Sequence, residues 1–170
     1  MYDLGCGDGG VTRCAQSLGF ECVGVDIELY PNYPAKFIQA DVRSLPDLPP
    51  ADIVWCSPDC QGYSRMTALK PESAKPKLVS EFRRAAKSLA RHYVIENVSG
   101  CHDLRLDLRL CGGMFGLPFI RWRWFEVSFL VPQPVSWYKP LPGMSRKALT
   151  QAVPWAYTCY ILSWFKASRE

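Results

Sequence analysis

The stretch Asp3-Leu4-Gly5-Cys6-Gly7-Asp8-Gly9-Gly10 decides the fold. Tyr2 to Leu4 reads as a first strand leading into it and the helical pattern Val11 to Leu18 leaves it, so the stretch reads as strand, glycine turn and helix. In such a unit the glycines let backbone approach a ligand at the carboxyl end of the strand. Further along, Glu21 to Val25, Phe37 to Gln39, Ile53 to Cys56 and Tyr93 to Glu96 read as strands, and Ser73 to Leu89 as a helix with Pro76 in its first turn. Strands alternating with helices predict an α/β chain with a mainly parallel central sheet. After Gly100 the pattern changes, and Leu108 to Cys111 and Arg121 to Phe129 read as an antiparallel C-terminal part of that sheet. A Pro-rich connection over 130–144 follows, holding Pro132, Pro134, Pro140 and Pro142, and the chain turns helical from Ser145, breaks at Pro154 and resumes through Trp155 to Phe165.

Composition bounds the class. The chain has 170 residues, is 48% hydrophobic, and carries 20 Lys+Arg against 16 Asp+Glu, which fits one globular domain over 1–170 with a mild basic bias. No apolar run approaches the roughly 18 residues of a membrane span, and Met1 leads into an acidic, Gly-rich segment where a leader would be basic and then apolar. Eight scattered cysteines without a dense framework point to a reducing compartment, hence a cytoplasmic location. Cys-x-x-Cys is absent and His92 and His102 stand near no cysteine pair, so no metal is expected, and most cysteines should be buried as small apolar residues.

Gly5, Gly7 and Gly10 also satisfy the GxGxxG spacing of dinucleotide binders. The carboxylates break that tie. Asp3 and Asp8 would repel a pyrophosphate, whereas they favour S-adenosylmethionine, which carries a sulfonium and an ammonium and no phosphate. Asp26, at the end of the second strand, is placed to reach a ribose, and Asp41 after the third to accept from an adenine amino group.

Ser57-Pro58-Asp59-Cys60-Gln61-Gly62-Tyr63-Ser64 follows the fourth strand as a loop over the same edge, which makes Cys60 a candidate nucleophile. Glu96, in Val94-Ile95-Glu96-Asn97-Val98, ends the fifth strand. In Arg121-Trp122-Arg123-Trp124-Phe125, extended geometry puts the guanidinium groups on one face and the tryptophans on the other.

Taken in order, these segments resemble the C5-cytosine DNA methyltransferase family: a DLxCGxGG loop, an acidic ribose ligand, a Pro-Cys-Gln loop, an ENV strand end and an RxR strand. Gln151-Ala152-Val153-Pro154-Trp155-Ala156-Tyr157 looks like the family's last motif, especially in short, phage-type members. The resemblance spans essentially the whole chain. It implies a class I S-adenosylmethionine-dependent methyltransferase (Rossmann-like) fold, located in the host cytoplasm if phage-encoded. It assigns the cofactor to Asp3, Gly5, Cys6, Gly7, Gly9, Gly10, Asp26, Ile27, Asp41, Val42, Ser57, Pro58, Trp155 and Ala156. Cys60, Glu96, Arg121 and Arg123 would be catalytic, and Gln61, Ser64, Arg121 and Lys139 would contact DNA.

The chain departs from the family at three places. Asp59 stands where a second proline is usual, and a carboxylate beside the thiol disfavours the thiolate unless it points away. Gly5 replaces the usual Phe, removing an aromatic contact with adenine. Only 21 residues separate Phe129 from Gln151, room for a loop in place of a target-recognition domain, so recognition would be weak or delegated to a partner protein. These departures favour the alternative of a degenerate methyltransferase-like chain that binds nucleic acid or a partner without catalysis. A Rossmann oxidoreductase is a further alternative, against which Asp8 and the Cys60/Glu96 pair argue.

Overall fold

The computed structural model describes residues 1–63, 75–135 and 153–169. Its strands are β1 (Tyr2–Leu4), β2 (Val23–Asp26), β3 (Lys36–Gln39), β4 (Ile53–Cys56), β5 (His92–Val98), β6 (Leu108–Leu110) and β7 (Arg123–Val127). The helices are α1 (Gly10–Ser17), α2 (Val79–Leu89) and α3 (Trp155–Ala167). Seven strands form one sheet in the order β3-β2-β1-β4-β5-β7-β6, parallel from β3 to β5, with β7 antiparallel to both β5 and β6.

Strand β4 is buried at every position, as a central parallel strand covered on both faces should be. Its alternation sorts the core. Ile53 and Trp55 face α1 and α3, together with Val94, Phe125 and Val127, whereas Val54 and Cys56 face α2, together with Tyr93 and Ile95. Val79, Phe82, Ala85, Ala86 and Leu89 form the buried stripe of α2, and Tyr157, Thr158, Ile161, Leu162 and Phe165 that of α3.

Among the boundaries that differ from the sequence reading, two have a clear physical reason. Helix α2 starts at Val79 instead of Ser73, leaving Pro76 outside it, because a proline disfavours helical backbone in the residue before it. The Tyr63 hydroxyl accepts from the Val79 N–H at 3.3 Å and so caps the helix from a distant loop. Strand β7 starts at Arg123 instead of Arg121, since Arg123 pairs with Val98 and Leu110, the last residues of their strands, and Arg121 has no ladder to join. Cys14 of α1 and Cys159 of α3 are paired as a disulfide with Cα atoms 6.2 Å apart, which the reducing-compartment reading did not anticipate. The other six cysteines are free, and all but Cys60 are buried. No described helix is long and apolar enough to cross a membrane.

Candidate active site

The parallel strands point their carboxyl ends to one edge, and nearly all the expected site residues lie along it. Gly5, Gly7 and Gly9 all adopt positive φ, and Gly9 is the N-cap of α1. Two positions explain why glycine is required. A Cβ on Gly5 would lie 2.6 Å from the Ser57 carbonyl oxygen and 3.1 Å from the Phe82 ring; one on Gly9 would lie 2.5 Å from Pro34. The aromatic ring beside the glycine loop therefore comes from Phe82 of α2, since residue 5 cannot carry one.

Asp26 holds the loop, its Oδ2 accepting from the Gly7 N–H at 3.0 Å and its Oδ1 from the Glu28 N–H at 3.1 Å. Ile27, next in the chain, is 60% exposed. Asp3 is fully buried beneath the loop, with Oδ2 accepting from the Thr12 hydroxyl at 2.9 Å and from Tyr33 at 3.3 Å, while Oδ1 has no partner. Burial pushes its carboxyl up to about 7 against those hydrogen bonds. Cys6 is buried in the same cluster, and desolvation, with Asp3 and Asp26 nearby, raises its thiol. Tyr33 was not singled out in the sequence, because nothing in a loop tyrosine marks it as the partner of an acid 30 residues earlier.

Asp41 departs from expectation. Its carboxylate accepts from the Arg43 N–H and is bound by the Arg43 guanidinium at 2.6 Å, which holds it down to about 2. It caps the short turn Val42–Ser44, so the oxygens meant for an adenine amino group are already engaged. At the other flank, Trp155 and Ala156 open α3; Trp155 is 51% exposed. Tyr157 ties the helix across by donating to the Arg121 carbonyl at 2.6 Å.

Around Cys60 the expected residues converge. The thiol is half-buried and raised, first by desolvation; Arg123 opposes the rise, while Glu96 and Asp59 add to it. Glu96 and Arg123 share one face of the β5–β7 ladder, two residues apart in register, and form a buried ion pair with Arg123 Nε 2.5 Å from Glu96 Oε1. Neither atom has a properly angled hydrogen bond. Burial raises the Glu96 carboxyl, with Arg123 and Arg121 pulling the other way. The Asp59 carboxylate is engaged on both oxygens: its Oδ1 accepts from the Gln61 N–H at 2.7 Å and its Oδ2 pairs with Lys75 Nζ at 2.8 Å. Asn97, not assigned a role from the sequence, donates to the Pro58 carbonyl at 3.0 Å. Ser64, Lys139, Trp137 and Tyr138 lie outside the described residues. Among the described residues no group of three or more acidic, His or Cys side chains is arranged to hold a metal.

The fold has counterparts among solved structures. A triple mutant of Spodoptera frugiperda DNMT2 matches with a TM-score of 0.50 at 17% identity, over 73% of this chain and 47% of that one. The fold is that of the class I methyltransferases. The S. pombe Dnmt2 methyltransferase aligns at 16% identity and TM-score 0.49, over 92% of this chain and 62% of its own. A Burkholderia thailandensis 1,6-didemethyltoxoflavin-N1-methyltransferase with bound S-adenosylhomocysteine aligns at 17% identity and TM-score 0.41, over 56% and 43%. This chain thus spans about half the length of the solved chains it matches. No protein-family profile and no curated protein matches it.

Proposed function

We propose that this chain is an enzyme that methylates C5 of cytosine in DNA, using S-adenosylmethionine and a covalent adduct on Cys60. The observation that carries the reading is the meeting of Cys60, Glu96 and Arg123 beside the glycine loop at one sheet edge. The cofactor fits the residues present. At Gly7 no atom lies within 4 Å of where a Cβ would be, so the loop is open to a ligand. Asp26 keeps spare lone pairs for ribose hydroxyls, Ile27 offers an exposed apolar face, and Asp3 retains one unpartnered oxygen beneath. When bound, S-adenosylmethionine supplies an electrophilic methyl group on a sulfonium.

The chain's own residues do the rest. Cys60, as thiolate, adds to C6 of the cytosine and makes C5 nucleophilic. Glu96, with its carboxyl raised by burial, can donate to N3 and accept from the N4 amino group, offsetting charge as it develops. Arg123 and Arg121 supply permanent donors for the base O2 and a phosphate. Once C5 carries the methyl group, loss of its proton expels the Cys60 thiolate. Because C6 is hidden in a stacked duplex, the target base is flipped out or unpaired.

A second reading, a chain that binds nucleic acid or a partner protein without turnover, is favoured by the burial that raises the Cys60 thiol. Trapping on DNA containing 5-fluorocytosine separates the two. Fluorine at C5 blocks the final elimination, so an adduct at Cys60 that Cys60→Ser abolishes supports catalysis. No adduct under conditions where the cofactor binds supports the second reading.

A further inference from the structure

The ion pair between Asp59 and Lys75 has a consequence for Cys60. Chain sequence fixes a carboxylate immediately before the reactive thiol, and left alone it would oppose ionisation of that thiol. Lys75, from the segment just before α2, places its Nζ 2.8 Å from Asp59 Oδ2. The other Asp59 oxygen accepts from the Gln61 N–H, so both oxygens have partners other than the thiol. Lys75 is also near enough to Cys60 for the two to interact electrostatically.

We infer that Lys75 is a positioning residue for the Cys60 nucleophile: by holding Asp59 and offsetting part of its charge it lets this loop carry an acid beside its thiol. The inference takes from the proposed function only that Cys60 must ionise. Among the described residues, the other charged groups felt at Cys60 are Glu96 from β5, Arg123 at the start of β7 and Arg121 just before it. Those three lie on other elements from Asp59, so Lys75 is the cation that answers it. Both partners are partly exposed, with side chains 47% and 34% accessible, which makes the effect modest and sensitive to salt.

The test is the pH profile of Cys60 alkylation by iodoacetamide, read peptide by peptide on the intact chain with neither cofactor nor nucleic acid present. Lys75→Gln is expected to move the midpoint up by about half a pH unit, roughly a threefold loss of rate below the midpoint. Lys75→Arg should restore it, Asp59→Asn should leave Lys75→Gln with only the smaller direct effect of the Lys75 charge on the thiol, and about 0.5 M salt, where the Debye length is roughly 4 Å, should shrink the difference. An unchanged midpoint in Lys75→Gln overturns the inference, as does an equal shift in the Asp59→Asn background. Failure of the fluorocytosine adduct with these thiol results intact would remove the methyl-transfer reading and leave the role of Lys75 standing.

Discussion

Asn97 donates its side-chain amide to the Pro58 carbonyl, tying the strand that carries Glu96 to the loop that carries Cys60. Asn97 is 1% exposed and Pro58 is buried, so no water replaces the bond once it is lost. Asn97→Leu should cost about 1–3 kcal/mol in chemical denaturation, the penalty for an unsatisfied buried acceptor. It should slow adduct formation at Cys60 while leaving S-adenosylhomocysteine affinity, measured by calorimetry, unchanged. An equal loss in both assays would show a general collapse of the edge.

The Glu96–Arg123 pair allows chemistry to be separated from stability. Glu96→Gln leaves a buried guanidinium without its counter-charge and should destabilise by about 3 kcal/mol. It should also cut turnover by about 100- to 10,000-fold, since an amide cannot serve both N3 and N4 in the same way. Glu96→Gln combined with Arg123→Met removes both charges and should regain most of the stability without regaining activity. Thermal unfolding and single-turnover methylation on the wild type and these two variants check this.

How much of this was legible depended on whether the deciding interaction was local. The strand Ile53–Cys56 was readable because a continuous apolar run between turn residues has few other uses. Cys60, Glu96 and Arg123 were readable as neighbours because each lies in or beside a strand near the same sheet edge: Cys60 in the loop after β4, Glu96 near the end of β5 and Arg123 at the start of β7. The start of α2 was not, since its cap is a tyrosine hydroxyl 16 residues away and no Ser or Asp precedes the helix. Nor was the engagement of Asp41 by Arg43, which is a matter of local turn chemistry. Lys75, Tyr33 and Phe82 act across the fold, at distances in sequence where no spacing rule points.

Asp3 gives the protein a pH signature. Its native carboxyl, raised by burial to about 7, binds a proton that the unfolded chain, at its ordinary value of 3.8, releases. Over that window the native state holds more protons than the unfolded state, so stability falls as pH rises, at a limit of roughly 1.4 kcal/mol per pH unit. The cost is absent below pH 4 and complete above about 7. Asp3→Asn, which mimics the protonated acid, should flatten this part of the profile in urea titrations from pH 4 to 8. A wild-type profile already flat there would place the Asp3 carboxyl elsewhere.

The last expectation concerns what selects the cytosine. Specific protein–DNA modules bury roughly 600 Å² or more, and the 21 residues between Phe129 and Gln151, four of them proline, are a short stretch from which to build such a surface. Phosphate contacts should then dominate, giving binding that falls steeply with salt and differs little between sequences. Arg121→Ala and Lys139→Ala should each weaken binding evenly across sequences and reduce the salt slope by about 1. Cytosines in single strands or mismatches, which cost least to unstack, should be methylated first. Bisulfite sequencing of a treated random duplex library measures this directly: scattered methylation enriched at mismatches is the expected pattern, and methylation confined to one short motif would mean that residues of this short connection read bases after all.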